Sequence, residues 1–538
     1  MDINITPTET ESRPSTMPTP GPSPRAGTAP NSNTMPSNST TPGGSTTPGN
    51  STTPGSSTMP GGNTTPGNST TPGNSTTPGG NTTPGNSTTP GGSTTPGGST
   101  TPGSSTTPGD STTPGSSTTP GTNAVAPNGS SIGSLKVSVH SSIGLIPVEG
   151  ATVTISYTGE PEKVIATFLT DNSGQTPVIA LSAPPRSLSL EPEPEEQPYS
   201  EYNVFVTAPG YAPVLISADQ ILPDELALQN ITMEPEEVSN ETEDVIVVPP
   251  HTLFGIFPPK IPEAEIKPTG ESGEIVLSRV VVPEYVIVHD GVPSDSTAPN
   301  YWVRYKDYIK NVASCEIYST WPEAAIYANV LAIMSVTLNR VYTEWYRNMG
   351  YDFTITTSTA YDQKFVYGRN IFENIDYLVD SVFANFLSRP GVRQPIFTAY
   401  CDGKRVTCKG LSQWGSKYLA DEGYSAIEIL RYYYGNDLYI NTADVISGVP
   451  SSYPGYDLGI GASGDKVRQL QMQLNRIARN YPAIPTLTVD GIYGPATAES
   501  VRTFQRIFNL PPTGVTDYAT WYEISEVYVG VSRIAEPG

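Results

Sequence analysis

Glu316 stands in the segment 308–325 with Val312, Cys315, Ile317 and Trp321 around it, just before a Trp-Pro helix start. A carboxyl enclosed by such side chains loses hydration, which disfavours its charged form and raises its pKa. A carboxylic acid still protonated near neutrality can donate a proton to a glycosidic oxygen. By residue type alone a solvated surface charge competes with that reading, since the chain has 52 Asp and Glu. Other chemistries have less to stand on. His140, His251 and His289 are scattered and make no metal-ligand spacing, so neither a metal nor a cofactor is expected. Three cysteines cannot build a disulfide framework. Cys401 and Cys408 could pair, leaving Cys315 over.

The elements that must position Glu316 are read next. An extended apolar run covers Ile275 to Val288, and a long amphipathic helix is expected from Pro322 to Arg347. On that helix Ala325, Ala328, Ala332, Ser335 and Asn339 line one small-residue face that another element can approach closely. A further helix is expected over 375–387, and 411–434 reads as a Tyr-rich helix pair. Together these make an α+β domain over 274–445.

Its flanks differ in pattern. Between 132 and 236, Leu135-Val137-Val139, Ala151-Val153-Ile155 and Tyr202-Val204-Val206 alternate with polar residues between Gly, Pro and Asn turns. That is the pattern of a small antiparallel β-sandwich. Residues 237–273, acidic and Pro-rich, read as a linker. Over 456–538, Ser463-Gly464 precedes a helix with Val467, Leu470, Leu474 and Ile477 on one face. Pro495 then starts a helix with Val501, Phe504 and Phe508 as its stripe, and Trp521 anchors a third.

Composition bounds the rest. Between Ser39 and Thr122 the hexapeptide S/N-T-T-P-G-x repeats fourteen times, with Asp110 its one charge and Met59 its one large apolar side chain. Such a tract has nothing to bury against the entropy of ordering, so 1–131 is expected to be a disordered stalk. It reads as a flexible spacer or a glycosylated surface stalk. The net charge of −23 excludes a basic face for nucleic acid and disfavours docking on anionic membranes. No run of 18 apolar residues predicts membrane insertion. The start, MDINITPTETESRPST, carries neither the basic nor the apolar stretch of a secretory signal.

Three stretches resemble known families. "PVEGATVTI", "TDNSGQT" and "VTAPGYAP" look like the carboxypeptidase-regulatory, transthyretin-like sandwich, which implies a spacing module. "VDGIYGPATAESVRTFQRIFNL" with "TGVTDYATWYEI" resembles the three-helix peptidoglycan-binding family. That resemblance implies a shallow wall-binding groove near Asp490, Gly491, Tyr493 and Gly494. Tyr308, Val312, Ala313, Glu316, Trp321, Pro322, Ala324, Ala328 and Ala332 are similar to the stage II sporulation protein D (amidase-enhancer) family. "STAYDQKFVYG" and "KGLSQWGSKYLADEGYSAIEILRYYYG" extend the likeness through Gln363, Tyr367, Gly368 and Ser412-Gln413-Trp414.

The last resemblance implies a lytic transglycosylase. Glu316 would protonate the oxygen between N-acetylmuramic acid and N-acetylglucosamine, then take the proton of the muramyl C6 hydroxyl, giving an anhydro product. Ser412 and Gln413 would line the sugar groove, with Trp414 and Tyr367 as stacking faces. Glu323 is the decoy, expected to face solvent. Met334 stands where the family has Arg, 406–410 lacks its His, and no zinc ligands match near 356–365. Peptidoglycan strands are the expected partner, with other cell-wall hydrolases beside them, at the cell wall or spore surface. A wall-binding protein without turnover is the alternative.

Overall fold

The computed structural model of the protein describes residues 131–236, 243–255, 258–268 and 277–532. The hexapeptide tract lies outside the described residues. The alternating segments form strands: β1 (Ser131–Ser141), β2 (Thr152–Tyr157), β3 (Glu160–Leu169), β4 (Ile179–Ala183), β5 (Ser200–Thr207), β6 (Val214–Ile221) and β7 (Leu226–Met233). Leu135, Val137, Val139, Val153, Ile155, Val204 and Val206 all point inward and are fully buried. The period of two puts one face of each strand into the core.

The sandwich is not purely antiparallel. β1 and β7 run parallel, Ser134 opposite Leu226 through Ser141 opposite Met233. The reason is a change of sheet: β6 lies in the sheet ordered β3-β2-β5-β6, while β7 lies beside β1 in the other. A strand that switches sheets is not forced into hairpin direction.

Much of the segment read as a linker is packed. β8 (Asp244–Val247) adds in parallel to the β6 edge. Val248 and Leu253 are buried, and His251 stacks on Tyr318 at 4.4 Å. Farther on, Glu263 pairs with Arg340 and Glu265 with Arg389. Extended chain held by strand addition and long-range ion pairs carries no periodicity, so composition alone made it look like a spacer. The strand Ile371–Phe372 also pairs with β7, so the sandwich and the central domain share a sheet.

The central domain is built on α1 (Tyr305–Glu316) and α2 (Glu323–Tyr342), both almost wholly buried. Length and composition would let 323–348 cross a bilayer, but its apolar side chains pack inside protein. The expected long helix breaks at Glu344, which takes φ +47°, and a short α3 (Trp345–Asn348) follows. Helix α4 (Glu373–Val382) stops earlier than expected, because 385–388 turns into a strand paired with Tyr439–Thr442. The helix pair is α5 (Gln413–Asp421) and α6 (Ala426–Tyr434), the second opened by a Ser425–Glu428 capping box.

The C-terminal domain has α7 (Asp465–Ile477), α8 (Pro495–Ile507) and α9 (Tyr518–Ser532). Val467, Leu470, Leu474, Ile477, Val501, Phe504 and Trp521 are its buried core, while Phe508 is half-buried. Two glycine turns close on helix glutamines: Gly491 N–H donates to Gln471 and Gly514 N–H to Gln505, each at 2.8 Å. This domain is docked. Glu523 and Glu526 of α9 reach Lys306 of α1 at 2.5 and 2.8 Å, and Phe383 packs on Tyr518 and Tyr522.

Candidate active site

Glu316 is the last residue of α1 and only 3% exposed. Burial raises its pKa, against the pull of the Lys260 ammonium, the Lys364 N–H and the Tyr400 hydroxyl. The Lys364 N–H donates to Oε1 at 2.7 Å, and the Gln413 side-chain amide approaches Oε2 at 3.4 Å. A helix C-terminus carries partial negative charge, which opposes an ionised acid there. The position therefore favours a carboxyl that holds its proton.

The surrounding bonds fix the partners. Gln363 donates to the Tyr400 hydroxyl at 3.1 Å and accepts from Tyr308 and Thr337 at 3.2 and 3.0 Å. With its oxygen accepting from Gln363, Tyr400 has its own proton free for Glu316. The Lys260 ammonium lies over the Tyr400 ring, 4.4 Å from its centre, and donates to the main-chain oxygen of Asp362. Pro258, Thr359, Cys401, Asp402 and Val406 complete the wall of a pocket of about 30 Å³. That is room for water, which needs roughly 10–15 Å³, and not for a sugar ring.

Of the residues expected to bind sugar, only Gln413 joins this pocket. Ser412 caps α5, its hydroxyl accepting from Gly415 N–H at 2.9 Å. Trp414 is 1% exposed and lies against Trp321 at 4.9 Å, with Tyr318 edge-on, so it has no open face for a sugar. The first turn of α5 points it into the aromatic core. Tyr367 is 47% exposed but stacks on Tyr301 at 4.6 Å, away from the pocket wall. Glu323 sits exposed in the first turn of α2. Cys401 and Cys408 are bonded to each other, and Cys315 is buried and free. Lys260 and Tyr400 were not found from sequence; neither lies in a periodic or motif-like stretch.

In the C-terminal domain the turn residues are structural supports. Asp490 accepts from Ile492 N–H at 2.8 Å and from Gln471 at 2.9 Å, and Gly491 takes φ +78°. Tyr493 is fully buried, its hydroxyl bonded to Gly514 O at 3.0 Å and near Thr516 at 3.1 Å. Gly494 precedes α8. Asp490 and Ile492 are the exposed residues of this turn, and Ile492 is the apolar one.

A family model bears on the same region. The family model PG_binding_1, a peptidoglycan binding domain, matches residues 463–524. The C-terminal domain is a peptidoglycan-binding domain. A 71-residue stretch of the chain is 39% identical to the zinc D-Ala-D-Ala carboxypeptidase of Streptomyces albus G. It covers 13% of this chain and 26% of that protein, so the chain spans about a quarter of the relative. Among solved structures, catechol 1,2-dioxygenase from Acinetobacter sp. ADP1 aligns over 23% of this chain and 60% of its own, at 14% identity and TM-score 0.15. The Acinetobacter radioresistens enzyme aligns over 21% and 58%, at 15% identity and TM-score 0.13. Scores that low say nothing about the fold or chemistry of this chain.

Proposed function

We propose that the protein is a cell-wall lytic transglycosylase, held on peptidoglycan by its C-terminal domain and cutting glycan strands with Glu316 as acid and base. The observation that carries this reading is Glu316 itself, a buried carboxyl with a raised pKa, reached by Gln413 and a Tyr400 hydroxyl. An acid kept protonated can protonate the glycosidic oxygen, and the carboxylate left behind can deprotonate the muramyl C6 hydroxyl. The C6 oxygen then closes on C1, so the step consumes no water and needs no second carboxylate. The peptidoglycan-binding domain supplies the same polymer at high effective concentration.

A second reading, wall binding without turnover, draws support from the small pocket and the enclosed Trp414. Incubating the full chain with purified glycan strands and seeking 1,6-anhydromuramyl ends by mass spectrometry separates the two. Sedimentation with insoluble peptidoglycan is expected under both. Anhydro ends are expected only under the first, and their absence from a chain that sediments rejects it.

A further inference from the structure

The pocket at Glu316 is closed partly by residues that do not belong to the helices behind it. Pro258 and Lys260 supply part of its wall, and Cys401, Asp402 and Val406 of the disulfide loop supply another part. The 258–268 segment is fastened unevenly. Its far half is pinned: Glu263 accepts from Arg340 at 2.7 and 2.9 Å, Glu265 accepts from Arg389, and Lys267 is buried against Trp345 and Phe397. Its near half, 258–262, is mostly exposed. Among the described residues it is held by the bond from Ile261 N–H to Ala360 O at 2.8 Å and by the Lys260 ammonium.

Segments with few buried apolar contacts open at low free-energy cost, while their anchors stay in place. A saccharide whose bridging oxygen is to receive the Glu316 proton must come within about 3 Å of it. With the near half in place, a space of about 30 Å³ forbids that approach. Resting on the reading of the central domain as glycan-cleaving, we infer that residues 258–262 are an occluding strap, with Lys260 its plug. The strap lifts between two anchors, the Arg405 guanidinium on the Leu253, Phe254 and Gly255 carbonyls and the Glu263–Arg340 pair, to admit a glycan strand. The positive plug stands next to the carboxyl and the Tyr400 ring, where the uncharged sugar would have to lie. The closed form keeps Glu316 from solvent until polymer competes for the site.

The test locks the strap in the full chain. Ile261→Cys with Ala360→Cys joins two positions already bonded through their backbones, and reductant reverses the lock. Two readouts are taken: labelling of the Glu316 peptide by a water-soluble carbodiimide with glycine ethyl ester, and release of anhydro ends from purified glycan strands. The unmodified protein in reductant controls for the Cys401–Cys408 bond. Locking is expected to slow labelling by about tenfold, the change produced by about 1.4 kcal/mol of added opening free energy, and to stop cleavage reversibly. Lys260→Ala, which adds no cysteine, is expected to speed labelling by a similar factor. Equal labelling in locked, unlocked and Lys260→Ala proteins overturns the strap. If labelling follows the lock but no form cleaves glycan, the strap stands and the transglycosylase reading falls.

Discussion

The two ends of α1 bury charge in opposite ways. At its C-terminal end a single carboxyl, Glu316, meets one ammonium, Lys260, across a small pocket. Toward its start, Lys306 bonds Asp380, Glu523 and Glu526, while Lys310 bonds Asp376 and Asp380. Both ends run against the helix dipole, which favours acids at the N-terminus and bases at the C-terminus. At the start, a surplus of acid overcomes that cost and fastens three elements: α1, α4 and α9. At the end one ammonium and two hydrogen bonds only partly offset it, and the carboxyl is left raised beside a small pocket. One arrangement serves cohesion; under the proposed function the other serves reactivity, which is where local rules are expected to be broken.

The largest effect should come from Glu316→Gln. The amide keeps the size and the Lys364 N–H bond but has no proton to transfer. Anhydro-end release is expected to fall by about 10²- to 10⁴-fold, with thermal unfolding and wall sedimentation unchanged. Full activity in this variant would remove the contrast, leaving Glu316 another structural acid.

Lys306→Met attacks the other end. The side chain is 7% exposed, and its loss strands Asp380, Glu523 and Glu526 without their main cation. Breaking one partner of such a buried group costs about 3–5 kcal/mol. A denaturant titration is expected to show that loss, with the C-terminal domain becoming protease-sensitive first. If the midpoint does not move, the cluster does not hold the domain.

These two sites were unequally legible in the sequence. The burial of Glu316 was legible from its apolar chain neighbours, but the pocket beside it is walled by Lys260, Thr359, Tyr400 and Gln413 rather than by Val312, Ile317 or Trp321. The C-terminal helices were legible for a like reason: their stripes and glycine turns are local. Lys260 was not, since it reaches Glu316 from a stretch whose prolines and acids look like spacer. Lys306 was hidden too. Its partner Glu523 lies 217 residues further on, and a lysine on a buried helix face looks like a break in the apolar stripe. Trp414 misled in the reverse direction: a motif aromatic expected in a groove is core, because α5 begins with its first turn against Trp321.

The pH response should sharpen the difference further. Three cations (Arg304, Lys306, Lys310) face five acids (Asp307, Asp376, Asp380, Glu523, Glu526), so the acids share cations and outnumber them by two. Burial pushes Glu523 up to about 7 and Asp376 up to about 6. A carboxyl raised on folding binds more protons folded than unfolded, so its destabilisation grows as pH rises from its unfolded value to its folded one. Asp380 and Glu526 are lowered by Lys306, so their contribution is lost only at more acid pH. His140, held down at about 4 by burial, works in the opposite direction below its unfolded value. Comparison with Glu523→Gln cancels these shared terms. From pH 5 to pH 8 the unmodified protein is expected to lose stability relative to Glu523→Gln, read as diverging urea midpoints. Parallel midpoints would mean that Glu523 is ionised throughout and the cluster is fully paired.

The smallest effect concerns Tyr493 and asks whether a motif residue of the peptidoglycan-binding domain touches wall or only holds the fold. Its ring is fully buried between the glycine turns, and its hydroxyl is bonded to Gly514 O. Tyr493→Phe keeps the ring and removes one hydrogen bond, leaving a buried carbonyl short of a donor, a loss of about 1 kcal/mol. Wall sedimentation at a temperature well below unfolding should not change, because no ligand can reach a side chain with no exposed surface. Ile492→Ser, at the exposed apolar residue of the same turn, is the complement: it should leave stability nearly intact and weaken sedimentation if the turn contacts wall. A Tyr493→Phe protein that is as stable as the parent but binds poorly would reverse the assignment and make the buried hydroxyl part of the binding surface.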